Sequence, residues 1–151
     1  MRGAFVDTNI FVYSEDLRNP AKRVVAARLW RVLADEGAAL VSSQVASELA
    51  NTLIRLWSDP LATSVVVDSL IDSVIVLPVT PDIVRDAIRG VASHGFSFYD
   101  AQIWAAARVW GAPVVLTEDF TDGLTVEGVR FVDPFAEGFD IEALLGELAE
   151  A

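Results

Sequence analysis

Ala4-Phe5-Val6-Asp7-Thr8-Asn9, near the start of the 151-residue sequence, predicts a short buried strand that ends at an acidic residue. Similar short apolar runs, separated by helical patterns, occur at Ala38–Val41, Val74–Leu77, Val114–Leu116 and Val129–Val132. Strands that alternate with helices indicate a single α/β domain with a central, mainly parallel sheet. Because ligands bind at the carboxyl ends of such strands, Asp7 lies where a site is expected.

Helical patterns fill the intervals between the strands. The predicted helices cover residues 20–35, 43–57, 61–72, 81–94 and 97–110, with a last short helix at 141–148. Pro81 suits a helix start, whereas Gly95 and Gly111 suit helix ends. His94, just before Gly95, is interpreted as a C-terminal cap.

Composition excludes several classes of protein. The sequence has no cysteine and one histidine, which excludes thiol chemistry and disfavours multi-histidine metal sites. The net charge of −11 argues against a purely electrostatic nucleic-acid binder. No apolar run approaches the roughly 20 residues that span a membrane, and no signal-peptide pattern occurs, so we expect a cytoplasmic protein without membrane contact.

Four acidic residues stand out by position. Asp7 and Asp119 follow predicted strands, at the edge where α/β sites form. Glu48 and Asp100 lie on helices, beside apolar neighbours at spacings of three and four. An unpaired ionised carboxylate facing the core is costly, so each of the four requires a partner.

Each acid also has a structural explanation. Asp7 could form an Asx turn with Asn9, and Glu48 could pair with Arg55 or with an arginine from another helix. Asp100 could belong to a capping box that begins at Ser97, and Asp119 could be ordinary loop polarity. One alternative explains all four acids together: they form a single acidic pocket that holds a divalent cation. All-oxygen ligands suit Mg²⁺ or Mn²⁺, and such a site favours hydrolysis of a phosphodiester.

The order of the motifs resembles that of PIN-domain nucleases over about residues 3–135. The similar segments are Phe5-Val6-Asp7-Thr8-Asn9-Ile10, Ser43-Gln44-Val45-Ala46-Ser47-Glu48-Leu49, Ser97-Phe98-Tyr99-Asp100-Ala101-Gln102-Ile103 and Leu116-Thr117-Glu118-Asp119-Phe120. The small single-domain form is similar to VapC-type toxins of bacterial type II toxin–antitoxin pairs.

This resemblance implies an α/β/α sandwich, Mg²⁺- or Mn²⁺-dependent endoribonuclease activity, a homodimer and a cognate antitoxin, for which a basic tail is expected. It implies that Asp7 and Asp100 are the main metal ligands and that Glu48 and Asp119 complete a catalytic set of four. Asn9 and Thr117 would orient these carboxylates. Asp122 is a rival of Asp119 for the fourth position.

The expected division places the PIN domain at residues 1–135 and an acidic amphipathic helix, packed on the same domain, at residues 136–151. The acidic net charge makes RNA binding depend on a basic face of the first long helix. Its cations are Arg18, Lys22, Arg23, Arg28 and Arg31. The same residues also suit a solvated face with helix salt bridges.

Two other activities and one inactive form remain as alternatives. Aspartyl phosphatases and receiver domains also place an acid after the first strand, but both need a lysine late in the chain. Lys22 is the last lysine here, so both are disfavoured. A catalytically degenerate PIN-like interaction module would keep the fold without the chemistry. All four acids are present, which favours an active enzyme.

Overall fold

The computed structural model describes residues 2–151 and contains seven helices and six strands within them. The strands are β1 Ala4–Val6, β2 Ala39–Ser42, β3 Ile75–Leu77, β4 Val114–Leu116, β5 Thr125–Val126 and β6 Val129–Val132. The helices are α1 Thr8–Glu15, α2 Pro20–Asp35, α3 Ser43–Trp57, α4 Pro60–Ser73, α5 Pro81–His94, α6 Phe98–Trp110 and α7 Ile141–Glu150.

The sheet has the strand order β3-β2-β1-β4-β6-β5. The pairs from β3 to β6 are parallel, and only β5 runs antiparallel to its neighbour within the described residues. The mainly parallel sheet predicted from sequence is therefore confirmed. The chain winds outward from β1 through β2 to β3, and then returns to β4 on the other side of β1. The order thus reverses between β1 and β4, and such a switch point is where α/β sheets bind ligands.

Helices cover both faces of the sheet. With the right-handed crossovers that parallel strands adopt, the connections from β1 to β3 carry α1–α4 over one face, and the reversed connection to β4 carries α5 and α6 over the other. The core between these layers is almost entirely apolar, and Phe5, Trp104 and Phe131 are among its largest fully buried side chains. Two helical layers around a sheet give the α/β/α sandwich that the resemblance implied.

Helix α1 was not predicted from sequence. Its central residues Ile10, Phe11, Val12 and Tyr13 are β-branched or aromatic and have low helix propensity. The helix forms because Ile10 and Phe11 are buried against the core, so tertiary packing overrides local preference. As a result, Asp7 is the N-cap residue of a helix and accepts the backbone N–H of Thr8, which replaces the suggested Asx turn with Asn9.

The β5–β6 hairpin was also missed. Glu127 and Gly128 both have positive φ, of 49° and 83°, as a two-residue type I′ turn requires. Glu127 tolerates this conformation while its carboxylate pairs with Arg89 at 2.8 Å and with His94 at 2.6 Å. The prediction that His94 caps α5 is wrong, because the ring faces Glu127 and Gly95 ends the helix in a left-handed conformation.

Helix α7 packs on the rest of the domain through Ile141, Leu144 and Leu148, which are buried. The backbone N–H of Arg2 donates to the Leu148 carbonyl, which ties the two ends of the described chain together. The boundary between residues 135 and 136 stays a prediction. Across residues 2–151, no helix combines the length and apolar character that a membrane crossing needs.

Trp104 supports a stability prediction because it is fully buried and donates its indole Nε1–H to the Val126 carbonyl at 3.1 Å. Trp104→Phe removes this hydrogen bond and leaves a cavity beside the smaller ring, so we expect the free energy of unfolding to fall by about 1–3 kcal/mol. Trp110, which is 38% exposed, provides the matched control. Trp110→Phe should change stability by less than about 0.5 kcal/mol in the same urea titration. Equal effects of both changes would contradict this assignment.

Candidate metal-binding and catalytic site

Asp7 lies at the end of β1 and is almost completely buried, with 4% of its surface exposed. One carboxylate oxygen accepts the backbone N–H of Thr8 at 2.7 Å, which fixes the start of α1. The other oxygen accepts the hydroxyl of Thr117 at 2.8 Å, from the residue that follows β4. The switch point between β1 and β4 thus brings Asp7 and Thr117 together.

Asn9 connects Asp7 to Asp119. Its Nδ2 lies 3.0 Å from a carboxylate oxygen of Asp119, 3.2 Å from the Thr117 hydroxyl and 3.4 Å from Asp7 Oδ2. The backbone N–H of Asp119 also donates to the Thr117 hydroxyl at 3.1 Å. Asn9 and Thr117 therefore hold the two strand-end carboxylates in one hydrogen-bond network.

Glu48 is held by neutral donors. The Thr8 hydroxyl donates to Glu48 Oε2 at 2.7 Å, and the amide of Gln44 donates to Oε1 at 2.7 Å. Among residues 2–151 no ion pair includes Glu48, so the suggested pairing with Arg55 is wrong. Thr8 immediately follows Asp7, so its contact joins the second motif to the first.

Asp100 occupies the first turn of α6 and is half-buried. The Ser97 side chain accepts no hydrogen bond from this turn, so the capping box, which was the structural alternative for Asp100, does not form. Burial raises the pKa of Asp100, while the Ser97 hydroxyl opposes the change and the charges of Asp119 and Glu48 add to it. The acid is thus placed next to other acids without the structural role that a capping box would have given it.

The electrostatics connect all four acids, which we call the acid cluster (Asp7, Glu48, Asp100 and Asp119). Burial raises the pKa of Asp7 to about 7, against the hydrogen bonds from Thr117 and Thr8, and the charges of Asp119 and Glu48 raise it further. The same two charges act on Asp100. Within the described chain, none of the ion pairs contains a member of the cluster. The repulsion between these carboxylates is therefore left without a protein cation.

The donor set fits an open divalent-cation site. Among residues 2–151, no group of three or more Asp, Glu or His side chains lies close enough together to hold a metal ion by itself. Mg²⁺ commonly binds through one or two carboxylates and keeps several waters, so an open arrangement suits it. Asn9, whose amide nitrogen reaches the cluster, leaves its buried Oδ1 without a hydrogen-bond donor in the described residues. A hydrated cation would bring donors to this region.

Asp122, the rival for the fourth position, lies in a different network. Asp122 lies in the turn before β5, and its carboxylate accepts the backbone N–H of Asp133, just after β6, at 2.9 Å. Asp119 instead shares Asn9 with Asp7. The geometry favours Asp119 as the fourth acid.

The basic face of α2 carries fewer free cations than its sequence suggests. Lys22 pairs with Glu118 at 2.6 Å, and Arg28 approaches Glu142 at 4.0 Å. Arg18, which was expected on this helix, lies before it and pairs with Asp16 at 2.9 Å. Such pairs match the interpretation of a solvated face with salt bridges better than that of a surface reserved for phosphates.

Sequence reasoning missed the residues that hold Glu48. Thr8, Gln44 and Gln102 are buried polar side chains, and Gln102 donates to Gln44 Oε1 at 2.7 Å. The available signal was a glutamine one turn before Glu48 and another two residues after Asp100. Recognising their contact requires knowing how α3 and α6 meet in space.

Comparisons with known proteins agree with this geometry. The family model described as PIN domain matches residues 4–121. No curated protein matches the chain by sequence. Among solved structures, the chain is similar to VapC20 of Mycobacterium tuberculosis, described as a toxin that cleaves the sarcin-ricin loop. The two share 25% identity with a TM-score of 0.66, over 85% of this chain and 99% of that one.

Two further solved structures show the same fold at lower identity. DNA-bound VapBC from Salmonella typhimurium is 19% identical with a TM-score of 0.67, over 89% of this chain and 99% of that one. A toxin–antitoxin complex from Klebsiella pneumoniae is 19% identical with a TM-score of 0.63, over 88% and 98%. Because the family model covers well over half of the 151 residues and includes all four members of the acid cluster, the chain belongs to the PIN domain family.

Proposed function

We propose that this protein is a metal-dependent endoribonuclease that acts as the toxin of a toxin–antitoxin pair. The observation that carries the proposal is the gathering of four carboxylates from separate segments at the switch point, with no protein cation paired to them in the described chain. Membership of the PIN family and the likeness to a toxin that cleaves the sarcin-ricin loop support the choice of RNA.

Each residue of the site has a proposed role. Asp7 and Asp100 are the main ligands of Mg²⁺ or Mn²⁺, and Glu48 and Asp119 complete the site. Such a cation, when bound, neutralises phosphate charge and lowers the pKa of water. Glu48 orients the water that attacks phosphorus as the bond to the leaving ribose oxygen breaks.

Asn9 and Thr117 keep Asp7 and Asp119 in place through the hydrogen bonds described above. Loss of either would misplace carboxylates rather than remove them. Their proposed role is therefore to orient the ligands, without direct contact with the substrate.

The proposed partners are RNA, a second copy of the chain and an antitoxin with a basic tail. The net charge of −11 complements a basic tail, and the toxin–antitoxin complex from Klebsiella pneumoniae supports a protein partner. Exposed apolar side chains on α4 and α5, such as Leu61 at 81% and Ile88 at 58% exposure, offer surfaces for protein association. We also propose a cytoplasmic location, where such a toxin would meet RNA.

The test compares two neighbouring acids. Asp119→Asn should lower the rate of RNA cleavage in Mn²⁺ by about 10-fold or more, since it removes a charge from the site. Asp122→Asn keeps the oxygen that accepts the Asp133 N–H and should cleave at the wild-type rate. The measurement is the initial rate on labelled RNA, with EDTA as the metal-free control.

A wild-type protein that binds Mn²⁺ but cleaves no RNA, alone or after removal of any copurifying partner, would contradict the nuclease and favour an interaction module. Equal rates for the two variants would remove Asp119 from the site. Growth arrest on expression, relieved by a protein encoded beside this chain, would support the toxin assignment.

A further inference from the structure

Two buried glutamines lie between the acid cluster and the core. Gln44, in the first turn of α3, is 8% exposed, and Gln102, in the second turn of α6, is 7% exposed. Their side chains meet, with Gln102 Nε2 donating to Gln44 Oε1 at 2.7 Å. Buried amides are costly unless their donors and acceptors are paired, so this contact requires both partners.

The contact fixes which way the Gln44 amide points. With its oxygen occupied by Gln102, its Nε2 faces Glu48 Oε1 at 2.7 Å and the Tyr99 carbonyl at 3.2 Å. Both neighbours can only accept hydrogen bonds, because a backbone carbonyl and an ionised carboxylate carry no proton to donate. If the Gln44 amide were flipped, its oxygen would face the Glu48 carboxylate and the Tyr99 carbonyl, and no donor would lie among the three oxygens. Gln102 therefore supports the orientation in which Gln44 presents a donor to Glu48.

This arrangement holds Glu48 without neutralising it. Thr8 binds one carboxylate oxygen and Gln44 the other, and both are uncharged donors. Each oxygen retains a second lone pair. An arginine in the same place would fix the side chain equally well, but its charge would compete with a cation for the carboxylate. Neutral donors leave the full negative charge available.

The same glutamine also reaches α6 next to Asp100. Gln44 contacts the Tyr99 carbonyl, one residue before Asp100, and Gln102 lies two residues after it. The pair thus joins the helix that carries Glu48 to the helix that carries Asp100.

We propose that Gln44 and Gln102 form an amide relay that positions Glu48 relative to Asp100 for cation binding. The relay rests on the proposed function, because it assigns a purpose to the position of Glu48 in that site. Gln44 and Gln102 are positioning residues and act on the cation and the RNA only through Glu48 and Asp100.

Gln44→Met and Gln102→Met test the relay, because methionine has a similar length and no amide. We expect each variant to need about 10-fold more Mn²⁺ for half-maximal cleavage and for half-maximal thermal stabilisation. Because Gln102 acts through Gln44, the double variant should be no worse than Gln44→Met alone. Thr63→Val on α4 is the control, since Thr63 is 2% exposed and its hydroxyl donates to the Asp59 carbonyl at 3.0 Å, away from the two glutamines.

The control should lower stability without changing the Mn²⁺ requirement. The relay is overturned if the glutamine variants keep the wild-type Mn²⁺ requirement while folded, or if the two changes add independently in the double variant. Thermal stabilisation by Mn²⁺ needs no RNA, so it tests the relay even if wild type fails to cleave. Failure of wild type to bind Mn²⁺ would overturn both the relay and the proposed metal site.

Discussion

Asp7→Asn is expected to abolish RNA cleavage and, in the metal-free protein, to remove a pH-dependent loss of stability. Asp7 is a proposed metal ligand, so its loss should lower the cleavage rate by roughly 100-fold or more. This is a larger decrease than the change of a residue that only orients a ligand would cause. Asparagine keeps an oxygen that can accept the Thr8 N–H, so the start of α1 is preserved. The variant should therefore fold.

The pH dependence follows from the direction of the pKa change. Burial raises the pKa of Asp7 from 3.8 to about 7, so the folded state retains a proton that the unfolded state has lost. Stability from this group is complete below about pH 4, falls as the pH rises toward 7, and is constant above that. At about 1.4 kcal/mol per pKa unit, the wild type should lose roughly 3 kcal/mol between pH 5 and pH 8 through this group.

Urea unfolding of wild type and Asp7→Asn at pH 5 and pH 8, in EDTA, measures this difference. The variant should be the more stable protein at pH 8, and its advantage should be smaller at pH 5. A variant that is less stable at both values would mean that Asp7 is mainly a helix cap, and that its ionisation costs the fold little.

Mn²⁺ should stabilise the wild type strongly and Asp100→Asn weakly. A ligand that binds only the folded state contributes about 2.7 kcal/mol at 100 times its Kd. For a domain of this size, that corresponds to a rise of roughly 5–10 °C in Tm. Asp100 is a proposed ligand whose pKa is raised by burial and by like charges, so the metal-free variant should be more stable than wild type near neutral pH.

Asp122→Asn provides the control, because Asp122 lies in the separate contact with Asp133. It should keep the full response to Mn²⁺. If Mn²⁺ raises the Tm of all three proteins equally, it binds elsewhere. If it raises none of them and Asp100→Asn is simply destabilised, Asp100 is a structural residue.

The elements that carry the site could be predicted from local patterns. The strands before Asp7 and before Asp119 are short apolar runs, and because parallel strands end at one edge of a sheet, these two acids were expected to lie at the same edge. The hydrogen bonds of Asn9 to Asp7 and Asp119 agree with that expectation. The local sequence was sufficient here because a strand that is buried on both faces of the sheet appears as a continuous apolar run.

The remainder depended on packing that local patterns do not encode. Helix α1 forms against its own propensities because Ile10 and Phe11 are buried, and the turn at Glu127 relies on Arg89 from α5. The pairing of Gln44 with Gln102 joins residues 58 positions apart. These contacts become visible only when the helices have been placed in space.

The most direct test of the account measures cleavage and metal binding on one sample. The initial rate of RNA cleavage and the Tm of the wild-type protein would be recorded over the same series of Mn²⁺ concentrations. If the acid cluster is both the cation site and the catalytic site, the two quantities should rise together and reach half-maximum at the same concentration, within about twofold once RNA and temperature are matched. Cleavage that continues unchanged in EDTA, or a Tm that does not respond while cleavage saturates, would contradict it.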